Sequence, residues 1–239
     1  MKTRRRRDVR FLLIAVALCA VQVCGCSDGL PDSSRIELIG LAIRNYRDVY
    51  GTLPPAAVLD ADGRPMHSWR VLVLPFIEAN GFFDRYDFGS PWDAPDNLAL
   101  TSKSTRFEDR KFQVPSMVSH VYGLAGSDHA TKTCFLAICA NAKVEDTEQS
   151  PYDEGGSDEL RYVYSHPRQQ FIVIELATTP VGWTEPSDVY VSSDVAFPTV
   201  DYADIRDDVT RAIVVEEDVK LLDRENALEL VDSLARESE

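Results

Sequence analysis

The sequence predicts an α+β fold in which an N-terminal amphipathic helix lies on an antiparallel β-sheet. Two patterns predict it. Ile36, Ile39, Ile43, Tyr46 and Tyr50 recur at helical spacing on one face of a segment near the N-terminus. The second half of the chain breaks into short apolar runs, mostly β-branched, separated by Gly, Pro, Asp and Ser clusters. A sheet of this kind presents an apolar face that must be covered, and the helix supplies the cover. The chain has 239 residues, 44% of them hydrophobic, which is enough apolar material for one ordinary core, so a single domain is expected.

The first ten residues, MKTRRRRDVR, hold six Lys/Arg and one acidic residue and run into an apolar segment from Phe11 to Val23. A positive stretch, a short apolar stretch and then small residues are the layout of a secretory leader. The apolar segment has 13 residues, short of the roughly 20 that cross a bilayer. Val23-Cys24-Gly25-Cys26-Ser27 resembles a bacterial lipobox. The resemblance implies that residues 1–25 are a lipoprotein-type leader and that Cys26 becomes the first mature residue, carrying palmitate-type acyl chains. Residues 26–33 are then a spacer and 34–239 the folded domain. Cutting by the ordinary signal peptidase, or retention as a short anchor, are the other readings. The expected place is extracytoplasmic, at the membrane through a lipid anchor, with Ser27 compatible with outer-membrane sorting.

The whole chain has 25 Lys+Arg against 39 Asp+Glu; the leader carries six basic residues and one acidic, so the remainder holds 19 against 38, a net charge of −19. Such a surface repels nucleic acid and anionic headgroups and favours cationic partners or divalent metal, although a solvated acidic face is the plain alternative. Only Cys134 and Cys139 remain beyond Cys26, and residues five apart on a strand point to opposite faces, so buried free thiols are expected rather than a disulfide.

Along the chain, Ser34 and Glu37 stand three apart as in a capping box, and the helix is expected over residues 34–50, ended by Gly51 with Pro54-Pro55 behind it. Pro54 to Pro65 reads as a loop turning at Asp62-Gly63. Ser68 can cap a helix through Trp69–Leu74, a run equally compatible with a strand, and Pro75 fits the first turn of a second helical piece to Ala79. Phe82, Phe83, Tyr86, Phe88 and Trp92 form an aromatic group of the kind that fills cores, and a helix is possible near residues 97–103. Strands are expected at Phe135–Cys139, Leu160–Ser165, Phe171–Leu176, Val189–Val191, Arg211–Val215 and Val219–Leu222. An acidic loop is expected at Glu145–Asp158, and a last helix capped by Asp223.

Several blocks together resemble a planctomycete family of pilin-like secreted proteins of unknown function, also labelled a bacterial solute-binding family. They are Gly51-x-Leu53-Pro54-Pro55-Ala56, Asp60-Ala61-Asp62-Gly63-Arg64-Pro65, Ser68-Trp69-Arg70-Val71-Leu72 and Pro91-Trp92-Asp93-Ala94-Pro95-x-Asn97. Val114-Pro115-Ser116, Ile174-Glu175 and Trp183-Thr184-Glu185-Pro186-x-Asp188 follow in the same order. The resemblance implies a type IV pilin or pseudopilin-like architecture. It also departs from the pattern: a lipobox-like leader stands where a prepilin motif is usual, Val114 stands for the customary cysteine, and Glu216-Glu217-Asp218 replaces an Asp-Gly.

The four histidines, His67, His120, His129 and His166, have no metal-binding spacing, and no GxSxG serine or Gly-rich phosphate loop occurs. A non-enzymatic structural or interaction role at the cell envelope is therefore expected, with a solute- or glycan-binding module as the alternative and an envelope protein or small solute as partner. The candidate site is a pair of similar acidic loops, Trp92-Asp93-x-x-Asp96 and Trp183-Thr184-Glu185-x-x-Asp188. Hard oxygen ligands on loops suit Ca²⁺, and a tryptophan beside carboxylates suits a sugar or a cation. The plain alternative is that Trp92 and Trp183 are core plugs whose neighbouring carboxylates cap turns.

Overall fold

The computed structural model describes residues 32–77, 79–101, 105–107, 110–112, 121–122, 132–146, 160–165, 169–177, 181–191, 195 and 199–236. The expected leader and Cys26, the Val114-Pro115-Ser116 block, three of the four histidines (120, 129 and 166) and most of the expected acidic loop lie outside them.

Helix α1 spans Asp32–Tyr50. It begins two residues before the expected start, so Ser34 and Glu37 sit inside the helix rather than at its cap. Ile36, Ile39, Ile43 and Tyr46 are buried, as the spacing requires. Gly51 takes φ +77°, and its N–H bonds the Arg47 carbonyl at 2.7 Å, the expected left-handed stop.

The segment expected to be a loop after α1 holds a hairpin. Strands β1 (Ala57–Leu59) and β2 (Pro65–Ser68) pair antiparallel about a turn at Gly63, whose φ is +81°. All three residues of β1 are buried, so the alternation that marks a half-exposed strand is absent. Ser68 then caps the one-turn helix α2 (Trp69–Leu72), its hydroxyl accepting from the Arg70 N–H, and Leu74–Ile77 continues as a 3-10 turn. Helices α3 (Asn80–Phe83) and α4 (Pro95–Thr101) follow, then the hairpin β3 (Thr105–Phe107) and β4 (Arg110–Phe112).

The strand-rich half adds β5 (Lys132–Thr133), β6 (Phe135–Ala140), β7 (Lys143–Asp146), β8 (Arg161–Tyr164), β9 (Phe171–Leu176), β10 (Val181–Gly182) and β11 (Val189–Val191). Helix α5 (Tyr202–Ile205), β12 (Val209–Val215), β13 (Val219–Leu222) and α6 (Arg224–Arg236) complete the chain. Asp223 caps α6 through the Asn226 N–H at 3.0 Å, as expected. Glu145 and Asp146 belong to β7, not to a loop.

The strands divide between two principal sheets rather than forming one. The first has the order β2-β1-β8-β7 and the second β11-β6-β9-β12-β13. The second is mixed, because β11 runs parallel to β6 while its other pairs are antiparallel. The chain crosses from β6 to β7, and so between sheets, at Asn141, whose φ of 48° makes the corner. Every residue of β6 and β9 is buried, which requires cover on both sheet faces.

Helix α1 packs on β12, β13 and β9, and α6 packs on β12, β13 and β6. The α1 approach depends on Gly40: a Cβ there would lie 2.4 Å from Ile213 Cδ1 and 2.8 Å from Val219 Cγ1. A side chain at this position would hold the helix off the sheet. Cys134 and Cys139 are buried free thiols. Among the described residues no helix is long and apolar enough to cross a membrane.

Candidate binding cleft

Arg70 and Asp188, 118 residues apart in sequence, form an ion pair with both side chains wholly excluded from solvent. An Arg in the apolar run Trp69–Leu74 would be intolerable without a partner. Its Nη2 donates to Asp188 Oδ1 at 2.7 Å, and its Nε and Nη2 donate to the Phe135 carbonyl at 3.0 and 2.7 Å. Nη1 reaches the Ser68 hydroxyl at 2.8 Å and the Glu185 carbonyl at 3.2 Å. Asp188 Oδ1 also accepts from the Ala137 N–H at 2.6 Å and from the Trp69 indole N–H at 3.2 Å.

The pattern has a clear cause. In the parallel pairing of β11 with β6, Val189 stands opposite Ile138, so β11 begins too late to serve Phe135 and Ala137. The Phe135 carbonyl and Ala137 N–H would be buried and unpaired, at about 1–3 kcal/mol each. Arg70 supplies the missing donor to the Phe135 carbonyl and Asp188 the missing acceptor for the Ala137 N–H, acting as a side-chain extension of β11. Burial raises the Asp188 carboxyl pKa, while the Arg70 guanidinium and the Ala137 and Trp69 N–H groups oppose that rise. With these donors converging on it, the group is held as the carboxylate.

The pair anchors the turn Glu185–Ser187, and a second buried brace anchors the loop that carries Trp92. Asn97 is fully buried on α4; its Oδ1 accepts from the Asp87 N–H at 2.9 Å, and its Nδ2 donates to the carbonyls of Asp87, Ser90 and Pro91 at 3.0 to 3.2 Å. The Trp92 N–H then bonds the Met66 carbonyl of β2 at 2.8 Å. The hairpin turn forms the third wall, where the Asp60 carboxylate accepts from the Arg64 N–H at 2.8 Å and from its guanidinium at 2.9 Å.

These three walls enclose an open cleft of about 670 Å³, lined by Asp60, Arg64, Met66, Pro91, Trp92, Asp93, Glu185, Pro186 and Ser187 among others. Its volume is in the range of small-molecule sites. The structure therefore brings together three of the six candidate residues, Trp92, Asp93 and Glu185. Trp92 is half-buried and is not a core plug.

The other three stand elsewhere. Trp183 is fully buried, stacked on Tyr122 at 5.8 Å and tilted against Phe82 at 4.9 Å, and its indole N–H has no hydrogen-bond partner among the described residues. Asp96 is exposed in the first turn of α4. Asp188 is committed to Arg70, Trp69 and Ala137, so its carboxylate is not available as a ligand for Ca²⁺ in the cleft. Among the described residues no three His, Cys, Asp or Glu side chains gather as a metal site requires.

Sequence reasoning missed Arg70, although a lone Arg in an apolar run is itself the signal that a buried acid must be near. A second recess, of about 790 Å³, includes Arg47, Glu216 and Lys220. There Arg47 is bound to the Glu216 and Glu217 carbonyls and Lys220 to the Glu216 carboxylate at 3.1 Å, which leaves less unengaged chemistry than the Trp92 cleft has.

The cleft's three walls and their two braces all lie within a stretch that matches one family. The chain belongs to the DUF1559 family. That family, described as a protein of unknown function and labelled as bacterial solute-binding, matches over residues 33–220. No curated protein and no solved structure matches the chain. In this DUF1559 member the Asp60–Arg64 block is one wall and the Pro91–Asn97 block is another with its brace. Ser68-Trp69-Arg70 and Trp183–Asp188 meet at the buried ion pair.

His67, on β2 beside the cleft, is buried with its Nε2 3.1 Å from the Phe88 carbonyl and its Nδ1 3.1 Å from the Tyr86 hydroxyl. A carbonyl can only accept, so Nε2 carries the proton and Nδ1 accepts from Tyr86. Burial pushes the imidazole down to about 4, against smaller opposing effects of the Phe88 carbonyl and the Asp87 charge. A histidine kept neutral in the fold and free to ionise near 6.5 when unfolded contributes stability in full above about pH 6.5. That contribution declines as pH falls and is gone below about pH 4, a change of about 3 kcal/mol. Denaturant unfolding of wild type and His67→Gln between pH 7 and 4.5 should show a shallower pH slope in the variant. Equal slopes, or a His67 resonance titrating near 6.5, would contradict this account.

Proposed function

We propose that this chain is a non-enzymatic binding module of the cell envelope whose ligand, a small solute or glycan fragment, enters the cleft lined by Trp92. The observation that carries the reading is the convergence of three remote segments, each held by its own network, on one cleft of small-molecule size. Walls fixed before the ligand arrives lose little freedom when it binds. The solute-binding label of the family supports the same reading.

The carboxylates of the cleft suit holding better than turnover. Glu185 accepts from the Gly182 N–H at 3.2 Å and from the Ser187 hydroxyl at 2.6 Å, and Asp60 is bound to Arg64. The proposed location is extracytoplasmic, with the domain tethered to the membrane, the outer one in preference, through acylated Cys26. The leader-like layout of residues 1–25 supports this placement, as does the acidic character of the remaining chain, which disfavours nucleic acid. The packing of α1 on the five-stranded sheet agrees with the pilin-like architecture that the resemblance implies.

Two measurements test the two halves of the proposal. Thermal unfolding of the full-length protein against a panel of sugars, cell-wall fragments, amino acids and amines should reveal at least one stabiliser. At 100 times its dissociation constant a ligand adds about 2.7 kcal/mol, and the midpoint should rise by roughly 5 °C or more. Trp92→Ala should remove the shift; a panel without effect would sink the binding role. Expression with an alkyne analogue of palmitate should label wild type but not Cys26→Ser, and equal labelling of the two, or of neither, would remove the anchor.

A further inference from the structure

Among the described residues lining the cleft, three are acidic, Asp60, Asp93 and Glu185, and one is basic, Arg64. Arg64 is already engaged: its Nε lies 2.9 Å from the Asp60 carboxylate and its Nη2 2.8 Å from that of Asp62. Its charge is balanced within the hairpin turn by two carboxylates, that of Asp60 among them. The surplus charge of the cleft is that of Asp93 and Glu185. Asp93 is exposed and makes no hydrogen bond or ion pair among the described residues, so its carboxylate is open to a ligand. Trp92, adjacent in sequence, is half-buried in the same wall and brings the aromatic surface with the strongest attraction for a cation.

We propose that the ligand of this cleft is a small organic cation, an alkylammonium or guanidinium group held between the Trp92 indole and the Asp93 and Glu185 carboxylates. This rests on the reading of the cleft as a binding site and names its ligand class. An ammonium carrying apolar substituents matches both components of the lining, since Met66, Pro91 and Pro186 take its carbon skeleton while the ring and the carboxylates take its charge. A neutral sugar would stack on Trp92 equally well but would leave the surplus negative charge uncompensated. An anion would be repelled. The rest of the molecule acts in the same sense, because the chain beyond residue 25 has a net charge of −19 and attracts cations toward its surface.

The test is calorimetric titration of the full-length protein with three probes. These are choline, its uncharged isostere 3,3-dimethyl-1-butanol, and N-acetylglucosamine, each at low salt and at roughly 0.5 M salt, where surface attraction is screened. Choline should bind, the isostere should bind at least roughly tenfold more weakly, and salt should weaken choline. Trp92→Leu and Asp93→Asn should each lower choline affinity by roughly tenfold. Asp93 is exposed and has no hydrogen-bond or ion-pair partner among the described residues, so its variant tests the idea with little expected effect on folding. If the isostere or the sugar binds as tightly as choline and is lost in Trp92→Leu, the cleft is a binding site but the cationic assignment is overturned. If none of the three binds, the cationic assignment is overturned, while the binding role is decided separately by the wider thermal-unfolding panel.

Discussion

The buried contact between Arg70 and Asp188 is the constraint on which the rest of this molecule depends. A guanidinium and a carboxylate without access to water are a liability of several kcal/mol per ion unless every donor and lone pair finds a partner. Here the partners are the peptide groups at the start of β6 that β11 does not reach, so each liability cancels another. The pair also ties three regions together: α2, which follows the first sheet directly; β6, a central strand of the second sheet; and the turn at Glu185–Ser187 that forms one wall of the cleft. Replacing either member would leave an uncompensated charge in the core and release that wall.

How much of this was legible in the sequence depends on whether the signal is local. Helix α1 could be read from five apolar residues at helical spacing, and the strands of the second half from their β-branched runs, because both patterns reflect burial on one element. The Ser68 cap of α2 and the Asp223 cap of α6 were legible for the same reason. The β1–β2 hairpin was not, since three fully buried residues between prolines show no alternation. The parallel register of β11 was also hidden, because nothing near Val189 records that its partner lies some fifty residues earlier.

The candidate site was half legible. Trp92, Asp93 and Glu185 were marked by an aromatic beside carboxylates on a loop, and they meet in the cleft. Asp188 was placed with them by the repeat of the Trp-acid pattern, yet it points into the core, where its partner is the one charged residue of an apolar run. Pattern likeness between two loops therefore misled, while the chemistry of a buried Arg would have found the right pairing. Trp183 shows the same division: it resembles Trp92 in sequence and behaves as core, stacked on Tyr122 and against Phe82. Residues that hold the walls and residues that line the cleft alternate along the same blocks, as Asn97 and Trp92 or Asp188 and Glu185 do.

The most direct measurement is the unfolding free energy of Arg70→Met, Asp188→Leu and the double variant. The account predicts that each single change removes about 3–5 kcal/mol, and that the double change costs well below the sum because the second substitution removes a stranded charge. Single variants within about 1 kcal/mol of wild type, or a double variant whose loss equals the sum, would contradict the view that this pair holds the two sheets and the cleft together.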